Sequence, residues 1–117
     1  MPTLKEETEA LEQKKEKIRE MGGAEYVARQ HKAGKLTARE RIDLLFDKGT
    51  FVELEILAHH QSTSPAMQGK QTPADGCITS YGKIQGRLAA CAAYDFTVMA
   101  GSIGYTKEII AKRMGLV

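Results

Sequence analysis

Residues 95–102, Asp-Phe-Thr-Val-Met-Ala-Gly-Ser, combine apolar side chains with small ones that would let a ligand approach the backbone. Ser102 is placed to cap a helix that begins near Ile103, and the N-terminus of a helix attracts anions. These residue types would suit contact with a ligand. In the alternative interpretation, Gly101 only satisfies the backbone angle of a buried turn.

The sequence contains no set of residues typical of covalent or acid–base catalysis, such as Ser/His/Asp, Cys/His or paired carboxylates. Asp95 stands alone and is expected to hold its loop through hydrogen bonds. His59 and His60 are adjacent on a segment expected to be extended, so their side chains point to opposite sides, and no third metal ligand is near. We expect neither a catalytic residue nor a metal ligand in this chain.

A β-hairpin is predicted immediately before the segment 95–102. Two β-prone runs, residues 77–84 and 87–94, are separated by Gln85-Gly86, and a glycine at the second position supplies the positive φ of a tight turn. This turn places Cys77 opposite Tyr94 and Cys91 opposite Ser80, so the two thiols lie on opposite faces and cannot form a disulfide.

Hydrophobic periodicity and turn residues predict the remaining elements: helices over residues 4–21 and 24–33, a helix that Thr37 opens, a strand over 51–57 and a helix over 103–114. Thr37 and Glu40 have the spacing of a capping box. The residues expected on one face of the third helix are Ala38, Ile42, Leu45 and Phe46. Those expected at helical spacing on the last helix, which should lie on the hairpin, are Tyr105, Ile109, Ile110 and Arg113.

These elements alone predict an α+β fold with an antiparallel ribbon. A two-stranded ribbon cannot be covered on both faces by so few helices, so Ile78, Leu88 and Val98 are expected to stay partly exposed. Oligomerisation or poor solubility is the expected consequence.

Composition restricts the class of protein. The chain has 117 residues, 42% hydrophobic and 27% charged, which suits one domain at most. A net charge of +2 with mixed signs argues against a nucleic-acid binder. No stretch approaches the roughly 20 apolar residues of a membrane helix, and the N-terminus is not a signal peptide, so a cytoplasmic location is expected.

The order of several short motifs resembles the start of the carboxyltransferase subunit of biotin-dependent acyl-CoA carboxylases. The motifs are Pro73, Asp75 and Gly76, then Tyr81-Gly82-Lys83-Ile84, Gly86-Arg87, Asp95-Phe96-Thr97-Val98 and Gly101-Ser102, preceded by the run at residues 34–42. Three positions depart from the family, which favours glycine where this chain has Ala74, Ser80 and Ala100.

The resemblance implies an α/β fold: N-terminal helices, then the first strand-strand-helix turn of a crotonase-like spiral. It implies a helical extension over residues 1–34 and a truncated start of the carboxyltransferase N-terminal domain over 35–117. In the family, carboxyl passes between N-carboxybiotin and the α-carbon of an acyl-CoA, and glycine-rich loops beyond this chain's end hold the oxyanions. Full-length members are enzymes, whereas this chain alone is not expected to carry the reaction.

The resemblance also implies ligands and partners: acyl-CoA, biotin carried by a biotin carboxyl carrier or biotin carboxylase component, and further copies of the subunit. The substrate-binding residues it implies are Phe96, Thr97, Ala100, Gly101, Ser102, Arg39 and Arg41. The two arginines belong to a basic cluster with Arg29, Lys32 and Lys35, which would meet coenzyme A phosphates. Alternatively these side chains are solvated or ion-paired between helices.

Two other functions remain open at this point. A biotin-dependent acyl-CoA decarboxylase subunit would share the fold and differ mainly in partners. A non-catalytic module would use the helix at residues 4–21 to join a larger assembly. The acyl chain is not specified by any motif.

Overall fold

A computed structural model describes residues 1–116. The elements are α1 (Leu4–Arg19), α2 (Ala24–Lys32), α3 (Ala38–Leu45), β1 (Val52–Leu54), β2 (Cys77–Ile84), β3 (Arg87–Tyr94) and α4 (Tyr105–Arg113), with short 3-10 turns at Pro65–Met67, Pro73–Gly76 and Met99–Gly101. None of the helices within the described range is long and apolar enough to cross a membrane.

The hairpin prediction is confirmed in both bounds and register. Cys77 pairs with Tyr94, and Ser80 pairs with Cys91, so the two free cysteines lie on opposite faces. Gln85 and Gly86 have φ values of 50° and 79°, the left-handed conformation that this turn requires. The carboxylate of Asp47 fixes the turn by accepting hydrogen bonds from the backbone N–H groups of Gln85 and Gly86 at 2.9 and 2.8 Å.

β1 converts the expected two-stranded ribbon into a three-stranded antiparallel sheet in the order β1-β2-β3. The strand is shorter than the predicted span 51–57, because the chain turns at Glu55, where φ is 57°. The Thr79 hydroxyl also donates to the Leu54 carbonyl at 2.8 Å. The prediction of a free ribbon was therefore wrong: β2 is the central strand.

α3 covers one face of this sheet and begins as predicted. The Thr37 side chain accepts from the Glu40 N–H while the Glu40 carboxylate accepts from the Thr37 N–H, which closes the capping box. The core consists of Ala38, Ile42, Phe46 and Ile78. Leu45 was expected on this face, but it is 43% exposed at the C-terminal end of the helix.

One of the three predictions of partly exposed apolar residues is confirmed, and two are wrong. Leu88 is 76% exposed, as expected, whereas Ile78 and Val98 are 1% and 3% exposed. Ile78 is buried because α3 packs on the central strand.

α4 begins later than predicted, at Tyr105, and Ser102 does not cap it. Ser102 instead follows the 3-10 turn Met99–Gly101. The cap comes from Asp75, thirty positions earlier in the chain, whose carboxylate accepts from the Lys107 N–H at 3.1 Å. Gly104 makes room for it, since a Cβ there would lie 2.0 Å from Asp75 Oδ1.

The face of α4 that meets the sheet also differs from the prediction. Lys107 and Ala111 are buried, whereas Tyr105 is 70% exposed and Arg113 is exposed. The Lys107 ammonium donates to the Cys77 carbonyl at 2.8 Å, the Thr79 hydroxyl at 2.9 Å and the Leu54 carbonyl at 3.3 Å. A lysine can be buried here because all three of its N–H donors find acceptors.

Candidate functional site

The loop after β3 is held by hydrogen bonds within itself and to Gly22, in a distant part of the chain. Asp95 is buried and its carboxylate accepts from the Thr97 N–H at 3.0 Å and the Thr97 hydroxyl at 2.6 Å. The same hydroxyl oxygen accepts from the Gly22 N–H at 2.9 Å. A Cβ at Gly22 would lie 1.8 Å from the Thr97 carbonyl oxygen, so this contact requires glycine. The structural role expected for Asp95 is confirmed.

This loop contains both buried and exposed side chains. Thr97 and Val98 are buried, while Phe96 is 62% exposed and presents its ring to solvent. Ala100 and Gly101 have positive φ values of 52° and 85°. They reverse the chain direction before Ser102, which is exposed.

A small cleft of about 140 Å³ lies between the start of α3 and this loop. It brings together three of the residues predicted to bind substrate, Arg41, Phe96 and Thr97. Ala100, Gly101, Ser102 and Arg39 are not among its lining residues. We call this the α3–loop cleft.

Arg39 points the other way from Arg41. Its guanidinium donates to both carboxylate oxygens of Glu53 at 2.6 and 3.1 Å, and the two side chains are 16% and 8% exposed. This bidentate pair connects α3 to β1. Arg41, by contrast, is exposed and makes no ion pair within the described residues.

Arg29, another member of the basic cluster, and the nearby His31 both contact carboxylates. Arg29 pairs with Glu25 at 2.8 Å and lies over the Tyr26 ring, 5.1 Å from its centroid. His31 lies 2.5 Å from the Glu40 carboxylate. The hydrogen bond with His31, followed by those with Thr37, lowers the pKa of Glu40.

A larger cleft of about 530 Å³, which no sequence motif indicated, lies between the end of α1 and the loop that follows β1. Its lining includes five basic or imidazole side chains, Lys14, Lys17, Lys70, His59 and His60. Both imidazole rings are within hydrogen-bonding distance of backbone carbonyl groups. His59 Nδ1 lies 2.8 Å from the His60 carbonyl oxygen, and His60 Nε2 lies 3.1 Å from the Lys70 carbonyl oxygen. Within residues 1–116 no group of three His, Cys, Asp or Glu side chains could hold a metal ion.

Three groups in or beside the sheet, Cys77, Cys91 and Lys107, have shifted pKa values. Burial raises the pKa of the Cys77 thiol to about 11 and also raises the pKa of Cys91. Burial lowers the pKa of Lys107. Neither Cys77 nor Lys107 lines the α3–loop cleft, so both shifts belong to the core and not to the candidate site.

Comparison with known proteins gives consistent results. The family model described as "Carboxyl transferase domain" matches residues 29–114. The methylmalonyl-CoA decarboxylase subunit alpha of Veillonella parvula is 43% identical over 104 residues, which are 89% of this chain and 20% of that protein. The propionyl-CoA carboxylase carboxyltransferase subunit of Haloferax mediterranei is 38% identical over 112 residues, which are 96% of this chain and 21% of that protein.

A solved structure of a related subunit matches nearly the whole of this chain. The crystal structure of the transcarboxylase 12S hexamer, with methylmalonyl-coenzyme A and methylmalonic acid bound, matches with a TM-score of 0.92 and 37% identity, covering 98% of this chain and 22% of that chain. The chain therefore spans about a fifth of the length of the relatives it matches.

Proposed function

Because the chain belongs to the carboxyl transferase domain family, we propose that it forms the N-terminal part of an acyl-CoA carboxyltransferase and contributes to coenzyme A binding. The observation that carries the proposal is the fold match with a TM-score of 0.92 to a carboxyl-transferring subunit solved with methylmalonyl-CoA. The resemblance recognised in the sequence is confirmed. So is the α+β start of a crotonase-like fold, which the matching carboxyltransferase structures share.

In this proposal, the α3–loop cleft binds one part of the coenzyme A molecule. A volume of about 140 Å³ is well below the 300 to 1,000 Å³ of pockets that enclose a drug-sized ligand, so only a ring or a phosphate fits. The exposed Phe96 ring offers a stacking surface for adenine. The Arg41 guanidinium, which makes no ion pair among residues 1–116, offers charge-assisted hydrogen bonds to a phosphate. Thr97 supports Phe96 by fixing the loop.

The other predicted substrate-binding residues have less direct support. Ala100, Gly101 and Ser102 remain proposals as backbone contacts, because they lie at the outer end of the same loop. Both terminal nitrogens of the Arg39 guanidinium are bound to Glu53. We therefore propose that Arg39 positions α3 and does not contact the substrate itself. The boundary between residues 34 and 35 also remains a prediction.

We propose, as the resemblance implies, that residues outside this segment carry the chemistry of carboxyl transfer. No acid–base or nucleophilic set converges on the cleft: Asp95 is engaged by Thr97, and Arg41 is a cation that binds rather than transfers protons. Biotin on a carrier protein, a biotin carboxylase component and a homo-oligomeric assembly are therefore proposed partners of the complete enzyme. A cytoplasmic location likewise remains a prediction from sequence.

Decarboxylation of an acyl-CoA is a second candidate, because a relative at 43% identity is named a methylmalonyl-CoA decarboxylase subunit. Both candidates use the same coenzyme A contacts. They differ in which partner accepts or releases the carboxyl group.

A chimera tests the proposed binding role. Residues 29–114 of this chain would replace the aligned segment of the transcarboxylase 12S subunit, and coenzyme A affinity would be measured by calorimetry. Phe96→Ala removes a stacking ring worth about 1 to 3 kcal/mol, so Kd should rise roughly tenfold. Arg41→Gln should weaken binding by a similar factor.

Leu44→Ala serves as the matched control, because Leu44 is 77% exposed on α3 and does not line the α3–loop cleft. Its affinity should equal that of the parent chimera. Unchanged Kd values in folded Phe96→Ala and Arg41→Gln chimeras would remove this cleft from the coenzyme A site.

A further inference from the structure

The loop at residues 95–104, which forms one wall of the α3–loop cleft, is held at both ends by a turn that precedes β2. At its start, the Asp95 N–H donates to the Gly76 carbonyl at 2.9 Å. At its end, the Gly104 N–H donates to the Asp75 carbonyl at 3.3 Å. Both ends of the loop are therefore fixed, and its conformation depends on what holds the middle.

The middle of the loop is held by Gly22. The Gly22 N–H donates to the Thr97 hydroxyl oxygen at 2.9 Å, while the hydroxyl proton is committed to the Asp95 carboxylate at 2.6 Å. A Cβ at Gly22 would lie 1.8 Å from the Thr97 carbonyl oxygen, which is a backbone atom, so the loop itself would have to shift. Gly22 thus fixes the position of Thr97 by a hydrogen bond and by close backbone contact.

Gly22 can act on the α3–loop cleft only through this loop. Thr97 and the adjacent Phe96 line the cleft, whereas Gly22 does not. Gly22 lies between α1 and α2, before residue 29, where the match to the family model begins. The contact therefore connects the N-terminal helices to the loop that carries the Phe96 ring.

We propose that Gly22 is a positioning residue for coenzyme A binding: it holds Thr97, and with it the Phe96 ring, where the α3–loop cleft can receive the ligand. A loop already held in its binding conformation loses less conformational freedom when the ligand binds, so affinity is higher. Loss of this contact should weaken binding of the acyl-CoA without slowing the transfer step, because the loop supplies no reacting group. This inference rests on the proposed function.

Gly22→Ala tests the inference in a chimera that carries residues 1–114 of this chain in place of the aligned segment of the transcarboxylase 12S subunit. The Kd for coenzyme A and the KM for methylmalonyl-CoA should rise roughly tenfold, while kcat stays within roughly twofold of that of the parent chimera. An unchanged Kd in a folded Gly22→Ala chimera overturns the inference. If Phe96→Ala still raises the Kd in that case, the proposed function stands.

Two substitutions of Thr97 test the same contact from the other side. Thr97→Val keeps the shape of the side chain but removes both hydrogen bonds, so the Kd should rise by a similar factor, whereas Thr97→Ser keeps the hydroxyl and should bind normally. Thr50→Val is the matched control, because the Thr50 hydroxyl also donates to a nearby oxygen, the Asp47 carbonyl, and accepts from a distant N–H, that of Lys83. Its Kd should equal that of the parent chimera. Normal affinity of a folded Thr97→Val chimera overturns the inference.

A double-mutant cycle separates positioning from a general loss of stability. If Gly22 acts by placing the Phe96 ring, Gly22→Ala should have little further effect once Phe96→Ala has removed that ring. The Kd of the double variant should then rise roughly tenfold in total. A rise of roughly a hundredfold would mean that the two residues act independently, and it overturns the inference.

Hydrogen exchange of the intact chain of 117 residues gives a measurement that does not depend on coenzyme A. The N–H groups of Thr97, Gly101 and Ser102 form hydrogen bonds within the loop at 3.0, 3.0 and 3.1 Å. Gly22→Ala should speed their exchange roughly tenfold, and Thr50→Val should not.

The exchange result separates the two proposals. Unchanged exchange in a folded Gly22→Ala chain overturns this inference even if the parent chimera binds coenzyme A, in which case the proposed function stands. Faster exchange in a chain whose parent chimera binds no coenzyme A overturns the proposed function, and the positioning role fails with it. Circular dichroism shows whether each variant folds, and the Thr97→Val and Thr97→Ser pair carries the test if Gly22→Ala does not.

Discussion

Ala74 and Ala100 occupy left-handed backbone conformations, with φ values of 53° and 52°. These are two of the three positions where the resemblance implies glycine. An alanine in this conformation costs about 1 to 2 kcal/mol relative to its preferred region, whereas glycine adopts it freely. Alanine at these two positions therefore adds local strain.

Ala100→Gly should consequently raise the free energy of unfolding by up to about 1 kcal/mol, because relief of strain exceeds the entropy that glycine adds to the unfolded chain. Ala28→Gly, in exposed helical conformation in α2, is the matched control and should lower it by about 1 kcal/mol. Urea denaturation of both variants measures the difference. Equal destabilisation by the two changes would mean that Ala100 is not strained.

The two cysteines should differ in reactivity. At about pH 8 a disulfide reagent should modify Cys91 slowly and leave Cys77 unmodified until the chain unfolds, because only the thiolate reacts and burial holds the Cys77 pKa at about 11. Counting reactive thiols before and after addition of denaturant measures this. In Cys91→Ser, rapid modification of the remaining thiol under native conditions would contradict the buried position.

The alkaline pH dependence of stability combines opposite contributions. The folded-state pKa of Cys77 lies above its ordinary 9.0, so the stability from this group is complete below pH 9.0 and is lost as pH rises to about 11. Lys107 has a lowered pKa, so its contribution rises with pH up to its ordinary 10.5. Because the two effects overlap, thiol reactivity is the cleaner measurement.

The hairpin and α3 were predictable at the scale of elements because their determinants are local. A two-residue turn fixes the register of both strands, and the capping box lies within four residues. The start of α4 could not be predicted, since its cap is the carboxylate of Asp75 from before β2. The burial of Lys107 likewise depends on carbonyl groups of β1 and β2 that periodicity does not reveal.

The two capping boxes offer a matched pair. Thr37→Ala should lower the free energy of unfolding by about 1 kcal/mol. Because α3 packs on the core, weakening this helix destabilises the whole fold. Thr3→Ala removes the same hydrogen bond from α1, which buries no residue. It should fray that helix with little effect on global unfolding. Calorimetry that gave equal losses for both would contradict the different packing of the two helices.

At the scale of the whole molecule, the sequence predicted the family but not which predicted residues would meet. The loop residues and Arg41 come together only because α3 and β3 pack side by side, a long-range contact. Arg39, two positions before Arg41, faces the opposite side of α3 and binds Glu53. The 530 Å³ cleft could not be inferred, because its walls come from α1 and the irregular loop after β1.

Carboxyl transfer by the chimera tests the central claim most directly. With residues 29–114 of this chain in place of the aligned segment of the transcarboxylase 12S subunit, the enzyme should transfer carboxyl from methylmalonyl-CoA to carrier-bound biotin within roughly tenfold of the parent rate. A scrambled segment of equal length serves as the negative control. A folded hexameric chimera that neither binds coenzyme A nor transfers carboxyl would contradict the account.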